Sequence, residues 1–153
     1  MQIQKDILMN IMVTGPRGGA LPFERSYYVQ EATEFFAKAL DINRLKTNIN
    51  VLMYDQLFIN GDVMGYCEAT TEREFTISLC SWGNWLSTLA HEMVHVRQFA
   101  RGELDLMMES WKSRKYCGHI EYWNQPWEKE ARRLQNKLVF DFMEQEALME
   151  QEI

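Results

Sequence analysis

The stretch Leu89-Ala90-His91-Glu92-Met93-Val94-His95-Val96-Arg97-Gln98 decides how the rest of the chain is arranged. Leu86, Leu89, Ala90, Met93 and Val94 recur at the spacing of one helical face, which predicts a helix over 85–101. Asn84 stands where an N-cap belongs, and Gly102 where a helix stops. On such a helix His91 and His95 lie one turn apart on one face, so both imidazoles can reach a single metal ion. Glu92 projects about 100° round the axis from His91, close enough to reach a water on that metal. A His-Glu-x-x-His pentad on a helix points to a zinc hydrolase with Glu92 as general base.

Catalytic zinc usually takes three protein ligands and keeps a fourth position for water, so a third ligand must come from outside the pentad. Downstream, the candidates are Cys117, His119, Glu121, Glu128 and Glu130. Ala131, Leu134, Leu138, Phe142 and Met143 predict a long packed helix over 127–150, with Pro126 at its start. Glu128 falls in its first turn and begins a Glu-x-x-Ala motif, whose small Ala131 allows a neighbouring helix to approach closely. His119 sits in a predicted loop over 118–126. Ligand chemistry alone leaves both Glu128 and His119 open.

Upstream, Tyr28, Ala32, Phe35, Phe36 and Ala39 predict an amphipathic helix over 27–40. Three strand-like runs follow at 48–54, 63–69 and 74–79, the second after the turn signal Asn60-Gly61-Asp62. Short connections suggest an antiparallel meander with one face on the helices. The first fourteen residues read equally as helix or strand, and Gly15-Pro16-Arg17-Gly18-Gly19 is a loop. The segment 102–117 reads as helical or irregular. Cys67 and Cys80 read as small buried hydrophobes of the sheet.

Composition limits the function classes. At 153 residues the chain is long enough for one domain, 1–153, with a hydrophobic core. A formal charge of −6 argues against nucleic acid or an acidic membrane surface as the main partner. Three cysteines, an odd number and widely spaced, argue against a disulfide framework and fit a reducing cytoplasm. Residues 1–13 include Lys5 and Asp6 and lack a signal-peptide apolar run, and no stretch is apolar enough for a membrane span.

The run 89–98, followed by Pro126-Trp127-Glu128-Lys129-Glu130-Ala131, resembles small phage-encoded zincin metallopeptidases, which are related to SprT-like and gluzincin-type proteins. The resemblance spans roughly 85–132. It implies an α+β minimal zincin fold, with a small antiparallel sheet packed against helices that include the His-Glu-x-x-His helix. It also implies a Zn2+ cofactor held by His91, His95 and Glu128, with Glu92 as the catalytic base, a peptide or protein substrate, and residence in the cytoplasm, that of a host cell if the chain is phage-encoded. SprT-like enzymes take a third histidine instead, for which His119 is distant from the pentad. The gluzincin motif often continues with an aspartate that supports a ligand histidine, and this chain has Arg132 there. Tyr116, Tyr122 and His119 are candidate donors to an oxyanion, and 74–79 is a candidate edge strand for an extended peptide. Two other functions fit the same residues: a catalytically silent zinc-binding interaction module, and a DNA-associated protease, which the acidic balance disfavours.

Overall fold

Strict alternation of Thr47, Ile49, Val51 and Met53 with Asn48, Asn50, Leu52 and Tyr54 makes Thr47–Tyr54 a strand with one buried face. In the computed structural model, which describes residues 9–15, 22–54, 64–81, 83–116 and 120–151, this strand is β2. It is preceded by β1 (Met9–Thr14) and α1 (Phe23–Ala39). After it come β3 (Gly65–Thr71), β4 (Glu74–Cys80), α2 (Trp85–Ala100), β5 (Ser110–Trp111), β6 (Arg114–Lys115) and α3 (Pro126–Gln151). The architecture is α+β: among the described residues, three α-helices accompany a small mixed sheet. No described helix is long and apolar enough to cross a membrane.

The sheet is not the antiparallel meander that the short connections suggest. Its order is β1-β2-β4-β3, with β1 parallel to β2, β2 parallel to β4, and only β3 antiparallel to β4. The helical crossover α1 imposes the parallel β1–β2 pairing, as a strand–helix–strand unit does. The tight turn at Glu72 and Arg73 makes β3 and β4 a hairpin. β4 carries buried Phe75, Ile77 and Leu79 and takes the interior place, whereas β3 exposes Glu68, Thr70 and Thr71 and suits an edge. Glu74–Cys80 is therefore paired on both sides, and the expectation of an edge strand there is corrected: β3 is the outer strand. Residues 1–8, most of the Gly15–Gly19 loop and the Asn60-Gly61-Asp62 turn lie outside the described residues.

α1 and α2 cover the apolar face of the sheet, and α3 packs on both helices. α2 contributes Leu89, Ala90, Met93, Val94 and Val96, all fully buried. Each large apolar side chain removed from water in this way stabilises the fold by about 1.5–3 kcal/mol. The helix ends at Gly102, whose φ of +68° is the left-handed conformation that glycine adopts without strain. Asn84 occupies the N-cap position, but its side chain makes no capping bond; its carbonyl accepts from the Thr88 N–H and hydroxyl. The distal half of α3 is fixed to α1 by Phe142, which sits among Tyr28, Phe35 and Phe36, and by a 2.7 Å bond from the Tyr28 hydroxyl to Glu146.

The segment expected to be helical or irregular forms the β5–β6 hairpin. Its turn residues Lys112 and Ser113 have φ of +49° and +69°, the pattern of a type I′ turn. Trp111 and, just after the hairpin, Tyr116 stand against Trp127, with ring centroids 6.4 and 6.1 Å away. This wall fixes the first turn of α3.

β3 lies on α2 through Gly65. A Cβ there would meet Thr88 Cγ2 at 2.5 Å and the Ser78 carbonyl at 2.9 Å. Gly65→Val should therefore push the strand off the helix and cost about 1–3 kcal/mol, as overpacking does. Thermal or urea unfolding checks this, and an unchanged midpoint would refute the close-approach role of Gly65.

Candidate metal centre

α2 and α3 run antiparallel: His91 faces Gln135, His95 faces Glu128, and Gln98 faces Trp127. Ala131, with no exposed surface, lies at the contact between the two helices, where its small side chain permits close packing. One stripe of α2 (His91, His95, Gln98) thereby meets one stripe of α3 (Glu128, Ala131, Gln135), each spanning two helical turns.

At the contact, the Glu128 carboxylate bridges the two imidazoles. Its Oε2 is 2.9 Å from His91 Nε2 and its Oε1 is 3.0 Å from His95 Nε2. The His91, His95 and Glu128 side chains are only 12, 8 and 6 % exposed. Ligand atoms from all three lie within 4.8 Å of one another, so the cluster could hold a metal ion. Two imidazoles and a carboxylate are also donors that divalent transition metals accept.

The remaining ring nitrogens are held as well. His91 Nδ1 is 2.6 Å from Gln135 Oε1, and His95 Nδ1 is 2.7 Å from Gln98 Oε1. Neither glutamine stood out in the sequence, although each lies seven residues from a ligand on its own helix, Gln98 from His91 and Gln135 from Glu128. Arg132 does not support a ligand histidine. It donates to the Trp123 carbonyl at 2.6 Å and lies 4.0 Å over the Trp123 ring, fastening the 3-10 turn Tyr122–Asn124 to α3.

That turn supplies one wall of a cleft of about 630 Å³, where Tyr122 and Gln135 face Gly65 and Tyr66 of β3. His91 and Glu92 of α2 also line it, as do Ser87 and Thr88. The Tyr122 residue is 58 % exposed, and the Glu128 carboxylate is near enough to act on its phenol. Burial, Glu128 and Glu92 all push this phenol up, so it stays protonated and able to donate. Tyr116 is placed elsewhere, against Trp127 and Arg114. Glu130 pairs with Arg97 at 3.1 Å and accepts from Gln98, and Glu121 is solvent-exposed. His119 and Cys117 lie outside the described residues. Cys80 is buried and Cys67 partly so; burial, with Glu92 and Glu68 nearby, holds the Cys67 thiol protonated.

Compared with protein-family models, with curated proteins and with solved structures, the chain gives no match.

The electrostatics are those of a site that concentrates opposite charges. Burial raises Glu92, and the two histidines only partly offset it. Burial would also raise Glu128, but hydrogen bonds with His91 and His95 overcome it and hold the carboxyl well below its usual range. Burial disfavours the charged form of His95, yet Glu128 and Glu92 push it up to about 9. In metal-free protein the raised His95 contributes stability that is complete below pH 6.5 and lost as pH rises through about 9. The depressed Glu128 contributes stability present above pH 4.5 and lost as pH falls further. Stability of the chelator-treated protein, read by unfolding, should therefore fall from pH 6.5 to 9, and Glu128→Gln should flatten that decline; an equal decline in both proteins would contradict the pairing.

Proposed function

We propose that the chain is a zinc-dependent metallopeptidase in which His91, His95 and Glu128 hold the metal and Glu92 is the general base. The supporting observation is the convergence of three ligand atoms within 4.8 Å, with Glu92 and His91 lining the same cleft. Bound zinc supplies a Lewis acid for the scissile carbonyl and brings the acidity of its water towards neutral pH.

The chain's own groups do the proton work. As the water oxygen adds to the carbonyl carbon, Glu92 accepts a proton; as the C–N bond breaks, Glu92 delivers it to the leaving amine nitrogen. The raised Glu92 carboxyl is a stronger base than an exposed one, which suits this transfer near neutral pH. Tyr122, held protonated on the cleft wall, donates its hydroxyl to the developing oxyanion. β3 has no second strand partner among the described residues and borders the cleft at Gly65 and Tyr66. An extended peptide adds along it through backbone hydrogen bonds, with side chains pointing alternately into the cleft and away. Glu92 lines the same cleft as His91 and feels the charges of both histidines, which supports this reading over a silent zinc module.

The test is hydrolysis of a mixture of unstructured peptides by the zinc-loaded chain. Cleavage is expected, with Glu92→Gln retaining its zinc and losing about 10²–10⁴-fold in rate. Absence of cleavage by the loaded wild type, or an undiminished rate in Glu92→Gln, would remove the proposal.

A further inference from the structure

We infer that Gln98 and Gln135 are positioning residues of the metal centre, a pair of neutral amides that accept from Nδ1–H of both ligand histidines and so leave Nε2 as the atom that gives up its hydrogen to take the metal. The inference rests on the metal site proposed above and extends it to the groups that orient the ligands.

Gln98 has no exposed surface. Its Nε2 donates to the Trp127 carbonyl at 3.0 Å and to Glu130 Oε1 at 3.2 Å. A carbonyl oxygen and a carboxylate accept only, so a flipped amide would set oxygen against oxygen on two sides. Oε1 must therefore be the atom 2.7 Å from His95 Nδ1. An amide oxygen cannot donate, so Nδ1 carries the hydrogen and Nε2 is left to face Glu128. Gln98 thus reads the first turn of α3 with one end and sets the tautomer of His95 with the other.

Gln135, two turns further along α3 than Glu128, places its Oε1 2.6 Å from His91 Nδ1. Each ligand histidine therefore receives one contact at Nε2 from the same carboxylate and one at Nδ1 from a glutamine. The choice of amide has a chemical consequence. A carboxylate partner makes an imidazole a stronger donor; an amide holds the same orientation without adding charge. The centre then carries Glu128 as its one anionic ligand, so the bound cation keeps more of its charge for polarising a substrate.

The experiment uses the full chain stripped of metal and titrated with Zn2+ against a chromophoric chelator, together with ¹⁵N NMR of the histidine rings in the zinc-loaded wild type. Gln135 is partly exposed on α3, so its substitution spares the core. Gln135→Leu should weaken zinc binding by about 10–100-fold, while Gln135→Glu should restore it and tighten it beyond the wild type by about tenfold. Metal-free unfolding midpoints show whether each variant is folded. In the NMR spectra both rings should carry hydrogen on Nδ1 and metal on Nε2. Wild-type affinity in Gln135→Leu, a Gln135→Glu variant no tighter than Gln135→Leu, or an Nε2–H tautomer in either loaded ring overturns this inference while leaving the metal site standing. If the wild type binds no zinc, both fall. The NMR result stands even if Gln135→Leu does not fold.

Discussion

Everything at the candidate centre depends on how closely α2 and α3 approach each other. The two histidines come from one helix and the carboxylate from another, thirty-odd residues later in the chain. Their meeting is set by packing rather than by chain connection. Ala131 supplies the small surface at the contact, and the wall made by Trp111, Tyr116 and Trp127 fixes where α3 begins. Further along, the aromatic cluster around Phe142 fixes its direction against α1. A shift of one residue in α3 would rotate Glu128 by about 100° and take it out of the site. The core thus acts on the chemistry through the register of one helix pair.

The cost of the arrangement is electrostatic. Two imidazoles and two carboxylates share a region with little exposure to water, and ions taken from water need partners. In the metal-free site those partners are a proton and hydrogen bonds: Glu128 bridges the histidines, and the two glutamines satisfy the outer nitrogens. A divalent cation among Glu128, His91 and His95 would replace the shared proton and leave the outer bonds in place. Glu92 is raised where Glu128 is depressed in the same field, a difference that matches the roles of base and ligand proposed for them.

Much of this was legible in the sequence where local periodicity governs. The 3.6-residue pattern of Leu89, Ala90, Met93 and Val94 marks α2, and that of Ala131, Leu138 and Phe142 marks α3, each within a residue or two of its ends. The alternation in Thr47–Tyr54 likewise marks a strand. Strand order was not legible, because alternation says which face is buried and nothing about which neighbour pairs. The β5–β6 hairpin was hidden for a chemical reason: Lys112 and Ser113 hold the left-handed turn positions that asparagine and glycine usually signal. Lys112 instead lies over the Trp111 ring and near Glu103 and Glu130. At the centre, His91, His95 and Glu92 followed from spacing, whereas the placing of Glu128 needed the helix pairing. Gln98 and Gln135 carry no charge and match no ligand pattern, so only the geometry brings them forward.

α2 and α3 jointly build the one candidate metal centre found among the described residues. Its most direct test is the metal content of the chain after zinc loading and removal of excess, beside that of Glu128→Ala. The account predicts about one zinc per chain for the wild type and almost none for a folded Glu128→Ala. A wild type without zinc, or a Glu128→Ala variant that retains it fully, would contradict the claim.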